Sequence, residues 1–163
     1  MSDIVLCRVD SRLIHGQVMT KWVQQSGANK IIIVSDTVCQ DMFLLEIYKM
    51  SAPPGIAISC YSTCDAIEQW RAGSFGDGRI LLLFGDIKTL YACCEQEITL
   101  QQVQIGGLGG GPSRKVVYQN ITLDTEDAAM LKQLQDKQID IIFQTIPEDR
   151  ALKLKEALER FEK

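Results

Sequence analysis

Short apolar, β-branched runs alternate with helix-period stretches along almost the whole chain, and this alternation restricts the available architectures more than any other feature. Strand candidates cover residues 4–9, 30–34, 57–60, 79–84, 101–105 and 139–143. Helical patterns fall near 18–25, 40–50, 63–72, 87–94 and 125–137, and a final amphipathic helix is expected over about 147–161, with Pro147 suited to its first turn. Strands separated by helices run parallel, and strands this apolar need cover on both faces. The expected fold is therefore an α/β open, mainly parallel twisted sheet of six or seven strands with helices on both faces. One stretch breaks the rhythm. Between Gly106 and Leu123, GGLGGGP leads into VVY and NITL, a pattern for a small hairpin or an irregular excursion. At 163 residues, with 46% apolar and 23% charged, the chain is expected to form one domain over 1–163 around a single core.

Several function classes drop out. The net charge is −4 and the basic residues are scattered, so no stripe is available for nucleic acid. The amino terminus, MSDIVLCRVD, lacks the apolar core of a signal peptide, and the apolar runs 31–34 and 80–84 are far short of the ~20 residues a membrane helix needs. A soluble cytoplasmic chain is expected, reaching a membrane only through a partner. Six cysteines form no CxxC pair and there is a single histidine, so neither a metal site nor a disulfide framework is expected; most of the thiols read as small buried apolar groups. The GGLGGGP segment fails as a nucleotide cradle, because Pro112 stands where GxGxxG needs its last glycine and where a P-loop needs its lysine. No cofactor is expected. The loop reads instead as a flexible wall of a cleft, from which Arg114 or Lys115 either reaches an anion or is simply solvated. A pairing of Cys7 with His15 is disfavoured because Cys7 is a strand residue, and Ser11 lacks a GxSxG elbow.

In an open α/β sheet, ligands bind beyond the carboxyl ends of the strands. That edge collects Asp10, Ser11, Arg12 and His15 after the first strand, Ser35 and Asp36 after the second, Gly85 and Asp86 after the fourth, and the loop 106–111 after the fifth. Asp36 and Asp86 are better read as helix caps. His15, the only histidine, lies in RVDSRLIHGQ where a strand gives way to a helix. It therefore sits beside a helix amino terminus with unpaired N–H groups and a partial positive charge. Arg12 can fork onto phosphate oxygens, and Gly16 lets the backbone approach a ligand closely.

The segment RVDSRLIHGQ, followed by Trp22, resembles the IIB components of the mannose/sorbose family of the bacterial sugar phosphotransferase system. The resemblance extends through IIIVSD, SAPPG at 51–55, IGG at 105–107 and DIIFQTIPED ending at 149. It implies that His15 accepts a phosphoryl group, on Nδ1, from a phosphohistidine of a cognate IIA protein or domain. His15 would then hand it to a sugar held by the membrane IIC and IID subunits, this chain associating peripherally with that permease. An imidazole nitrogen is a good nucleophile at cytoplasmic pH, and phosphoryl transfer asks the protein mainly for alignment and charge stabilisation. On this reading Arg12 clamps the phosphoryl oxygens, and backbone N–H groups from Ser11 through Gly16 to Gln17 complete the cradle. Asp10 orients Arg12 or His15. Arg8 either faces a partner or forms a structural ion pair with Asp10 at the sheet edge. The GDIKT stretch and the glycine-rich loop depart from the usual pattern, which bears on partner and sugar identity rather than on His15. Met1 stands directly before the first strand, so a separate polypeptide is expected. The alternative is a noncatalytic α/β module that binds an anionic metabolite at the same cleft, and covalent phosphate on His15 distinguishes the two.

Overall fold

Runs such as KIIIV and GRILLLF have apolar side chains pointing both ways, and each becomes an inner strand buried on both faces. The computed structural model describes residues 2–163, and the side chains of Ser2 and Gln17 lie outside that description. In chain order the elements are β1 (Ser2–Asp10), α1 (Gly16–Ser26), β2 (Lys30–Val34), α2 (Asp36–Gln40), α3 (Met42–Met50), β3 (Ala57–Tyr61), α4 (Thr63–Gly73), β4 (Gly78–Phe84) and α5 (Ile87–Gln96). There follow β5 (Gln102–Gly107), β6 (Lys115–Tyr118), β7 (Ile121–Leu123), α6 (Thr125–Asp136), β8 (Asp140–Phe143), β9 (Leu152–Lys153) and α7 (Leu154–Glu162). Among the described residues seven strands form one sheet in the order β3-β2-β4-β1-β5-β8-β9. All neighbours pair in parallel except β9, a two-residue antiparallel edge on β8.

Alternation along the strands divides the core in two. Ile31, Ile33, Leu81 and Leu83 pack with Met19, Trp22 and Val23 of α1 and Leu45 of α3. Ile32, Val34, Leu82 and Phe84 face the other way, against residues of α4, α5, α6 and α7. Helices thus cover both faces, as the alternation requires. The chain leaves β1 toward β2 but leaves β5 toward β8, so the connections diverge and a crevice opens at the carboxyl ends of β1 and β5. The main-chain N–H of Ser11 donates to the Gly107 carbonyl at 2.9 Å and ties the two rims together.

Side-chain caps start most of the helices: Ser35, Asp41, Ser62, Asp86 and Asp124 each accept from the amide three residues on. Asp41 corrects the expectation of one helix over 40–50. Its backbone is non-helical, at φ −107° and ψ 87°, and its carboxylate caps a new helix, so α2 and α3 are separate. The last helix also departs from expectation, beginning at Leu154 rather than near Pro147. The preceding loop is held as a turn, with the Gln144 side chain donating to the Asp149 carbonyl at 2.9 Å and with further carbonyls bonded from β1. Between Gly106 and Leu123 a hairpin forms, β6 pairing antiparallel with β7, and Leu108 bridges to Ile121 beside the end of β5.

All six cysteines are free. Burial pushes Cys7 up, raises Cys93 to about 12, and raises Cys60 and Cys94 to about 11, so these are inert thiols at neutral pH. Cys64 is exposed, an exception to the expected buried set.

Leu82 is wholly buried at the centre of the sheet. Leu82→Ala is expected to cost about 2–5 kcal/mol through lost burial and a residual cavity, measured by urea unfolding.

Candidate functional site

β1 ends at Asp10, and the five residues before α1 sort themselves by polarity. Leu13 takes a left-handed conformation at φ +56° while its N–H donates to the Asp10 carbonyl at 2.9 Å. That turn drives Leu13 and Ile14 into the core beneath α1 and leaves Ser11 and Arg12 at the surface. His15 follows as the residue before α1, extended at φ −150°, with its side chain 21% exposed. The imidazole makes no capping bond to the helix, so the first amides of α1 are not satisfied by a side-chain cap.

The imidazole is engaged elsewhere. Asp10, buried to zero exposure, is the hub of the site. Its Oδ1 accepts from the Arg12 main-chain N–H at 3.0 Å and from Arg12 Nε at 3.1 Å. Its Oδ2 lies 3.1 Å from Arg8 Nη2, from Arg12 Nη2 and from His15 Nε2. Burial alone would raise the Asp10 carboxyl, but bonds from His15 and Arg12 and the Arg8 charge outweigh it and hold the group well below the usual carboxylate range. An ionised carboxylate can only accept, so the proton of this contact sits on Nε2 and the free lone pair of a neutral His15 is on Nδ1.

Arg8 is also wholly buried, which rules out its expected alternative place at a partner interface. A charge this deep needs its donors paired, and those of Nη1 and Nη2 are, while buried Nε finds no partner among the described residues. Besides Asp10, it donates to the Gln104 side chain on β5, to the Gln144 carbonyl at 3.1 Å and to the Thr145 carbonyl at 3.0 Å, and it lies 5.3 Å over the Trp22 ring. Burial lowers it to about 10 against the pull of Asp10, so it is still a cation at neutral pH. Trp22 Nε1 donates to the same Thr145 carbonyl at 2.8 Å. A methyl group on Gly106 would land 2.0 Å from the Arg8 guanidinium carbon, so only glycine leaves room for this ion on β5.

Arg12 is 43% exposed, holding Asp10 through Nε and Nη2. The Ser11 and Arg12 amides are already bonded to Gly107 and Asp10, which removes them from the expected phosphate cradle and leaves the Ser11 hydroxyl as that residue's contribution. Gly16 opens the helix at φ +44° with open space where a Cβ would lie. Gln17 offers a first-turn amide; its side chain lies outside the described residues.

Ser11, Gly85, Asp86, Gly109 and Gly110 help line a cavity of about 350 Å³ beside this turn, so the glycine loop does border the cleft. Arg114 lines the same cavity, already paired rather than solvated, whereas Lys115 does not line it. Arg114 is locked onto Thr122, Asp124 and Asp127, and Lys115 donates to the Phe161 carbonyl. Asp86 caps α5, and Asp36 binds the Thr63 amide at the start of α4. Gln104 and Thr145 were not foreseen as parts of the site, whereas Gly106 was expected only as the start of the cleft loop and Trp22 only as part of the motif. A polar residue inside the buried strand QVQIGG is the one sequence signal that pointed there. Among the described residues no group of three His, Cys, Asp or Glu is placed to hold a metal ion.

A family model described as PTS system sorbose subfamily IIB component matches residues 4–163. The sorbose-specific EIIB component of Lacticaseibacillus casei is 30% identical over 146 residues, covering 90% of this chain and 89% of that protein. The mannose-specific EIIAB component of Escherichia coli K12 is 27% identical over 160 residues, and this chain, matched over 98% of itself, spans 50% of that relative's length. Among solved structures, manxB from Thermoanaerobacter tengcongensis superposes with a TM-score of 0.92 at 31% identity, covering 99% of this chain and 98% of the other. The IIBSor domain of the sorbose permease from Klebsiella pneumoniae gives 0.90 at 25% identity, covering 96% of each.

Asp10→Asn leaves Arg8 buried beside a neutral group and is expected to cost about 3–5 kcal/mol at neutral pH. Because the folded-state value of Asp10 is depressed, its contribution is complete above the unfolded value of ~3.9 and is lost as pH falls through the folded value. The stability difference between wild type and Asp10→Asn, followed by denaturant unfolding, is therefore expected to stay constant down to about pH 4 and shrink only below it.

Proposed function

The chain belongs to the sorbose-subfamily IIB components of the sugar phosphotransferase system, and from that premise we propose that His15 is its phosphoryl carrier. It accepts phosphate from a phosphohistidine on a IIA partner and passes it to a sugar presented by membrane IIC and IID subunits. The observation that carries this reading is the fixed orientation of the only imidazole. Nε2 is bound to buried Asp10, which leaves Nδ1 as the nucleophile beside the uncapped start of α1.

In the first step the Nδ1 lone pair forms the N–P bond as the bond to the donor histidine breaks, and the electron pair of that bond returns to the donor nitrogen. Phosphorylation at Nδ1 leaves the ring with a positive charge when Nε2 keeps its proton. Asp10 faces that proton and stabilises the charged ring. In the second step a sugar hydroxyl oxygen attacks phosphorus, the N–P bond returns its pair to Nδ1, and the hydroxyl proton leaves to solvent or a base on the acceptor side. Arg12, half exposed and anchored through Asp10, stabilises the equatorial phosphoryl oxygens in both steps. The amides of Gly16 and Gln17 and the Ser11 hydroxyl complete the cradle, aided by the positive end of α1. Arg8 acts at one remove, holding Asp10 in place.

Among the described residues no helix is long and apolar enough to cross a membrane, and the reading gives the sugar's passage to the IIC and IID subunits, with this chain on their cytoplasmic side. The relatives are named for sorbose, mannose, fructose and N-acetylgalactosamine, and the acceptor proposed here is a hydroxyl of that class of monosaccharide.

Incubation with phosphoenolpyruvate, Enzyme I, the phosphocarrier HPr and a mannose-family IIA is expected to add one acid-labile, base-stable phosphate to the wild type and none to His15→Ala, read by intact mass. Arg12→Ala is expected to keep the acceptor nitrogen but slow the single-turnover transfer by about 10²-fold. An unmodified wild type beside a demonstrably charged IIA would overturn the carrier role.

A further inference from the structure

Two hydrogen-bond donors converge over Gly107, one of which the mechanism above leaves unused. A methyl group built on Gly107 would lie 2.9 Å from Arg12 Nη2, 3.1 Å from Asp10 Oδ1 and 3.3 Å from Asn120 Nδ2. The three atoms therefore ring one point at the end of β5. Asn120 comes from the turn between β6 and β7, far along the chain, and is exposed. It is nevertheless held from two sides. Its carbonyl accepts from the Leu108 N–H at 3.3 Å, and its side-chain Oδ1 accepts from the Thr145 hydroxyl at 2.7 Å.

That second bond fixes which way the amide faces. With Oδ1 committed to Thr145, the NH2 group is the end turned toward Gly107 and Arg12. Thr145 is itself placed by the core of the site, since its carbonyl receives both Arg8 Nη2 and Trp22 Nε1. Among the described residues no acceptor is bonded to Asn120 Nδ2. The one acceptor nearby, Asp10 Oδ1, already takes the Arg12 amide and Nε. The Asn120 amide N–H has no acceptor of its own among these residues, and the guanidinium beside it, bonded to Asp10 through Nε and Nη2, keeps Nη1 unengaged; an amide donor and a cation sharing one rim match the oxygens of an anion.

Resting on the carrier reading of His15, we propose that Asn120 donates from Nδ2 to a phosphoryl oxygen during transfer, paired with Arg12, over a floor that glycine keeps open. Thr145 is the positioning residue that keeps the amide from flipping. The phosphoryl group is favoured over a sugar hydroxyl as occupant because the paired donor is a cation.

The test uses the intact chain charged by a mannose-family IIA, with no sugar present. Asn120→Ala is expected to slow acceptance of phosphate by about 10- to 100-fold and to displace the phosphorus-31 resonance of phosphorylated His15. Asn120→Asp, which adds a negative charge at the rim, is expected to be slower still. Asn120→Gln is expected to recover part of the rate, and Thr145→Val to shift rate and resonance in the same direction as Asn120→Ala. A purely structural role would move the melting temperature but leave the resonance of the correctly folded fraction in place. Wild-type acceptance with an unchanged resonance in Asn120→Ala overturns the proposal; if a separate assay with sugar and the IIC and IID subunits then shows a defect in the second transfer, the sugar hydroxyl is the occupant. These outcomes leave the carrier role of His15 standing. Failure of the wild type to accept phosphate from charged IIA removes both.

Discussion

The site depends on a single buried carboxylate. Asp10 has no solvent to satisfy it, so the fold supplies two arginines and an imidazole, and each of those groups is thereby fixed. A buried ion pair is seldom a gain in stability over well-packed apolar residues. Its effect here is one of position: Arg8 reaches β5, the end of β8 and the Trp22 ring of α1 at once, and the elements that frame His15 are joined through it. The glycine at 106 follows from the same requirement, because a side chain there would occupy the guanidinium's space.

The first helix is built unlike most of its neighbours. α2 to α6 each begin with a Ser or Asp side chain closing an amide, whereas α1 begins with an imidazole turned toward a carboxylate. A cap is worth about 1 kcal/mol to a helix, and a non-glycine residue held at positive φ, as Leu13 is, carries a cost of similar order. Both departures from local preference fall within three residues at the crevice where the connections of β1 and β5 diverge. Local preference is given up where the amides of α1 stay open and the ring turns to Asp10, and the deep core on either side of the sheet compensates.

Much of the architecture was legible because it rests on local pattern. KIIIV and GRILLLF read as buried inner strands from composition alone, and RVDSRLIHGQ marked the strand-to-helix crossing with its lone histidine. The errors came where a single side chain overrides periodicity. Asp41 splits one apparent helix by capping the second half, and the loop after β8 is kept from helix by carbonyls already bonded to Arg8 and Gln144. The ion pair of Arg8 with Asp10 was legible as one alternative from two residues away, but its other acceptors were not, since they stand at separations of 96, 136 and 137 residues and leave no trace near residue 8. Arg114 was misread in the converse way: a cation in a glycine-rich loop looked free, yet Asp124 and Asp127 bind it.

Those separations bear on the order in which the molecule comes into being. Contacts between distant segments form only after the intervening chain has collapsed, because closure of long loops costs entropy before any bond repays it. Arg8, at the foot of the turn carrying His15, is made 136 and 137 residues before the carbonyls of Gln144 and Thr145 that hold it. A growing chain thus carries His15 and Asp10, five residues apart, before the distant acceptors of Arg8 exist. A chain cut short before β8 therefore lacks the Gln144 and Thr145 carbonyls that hold Arg8 against Asp10.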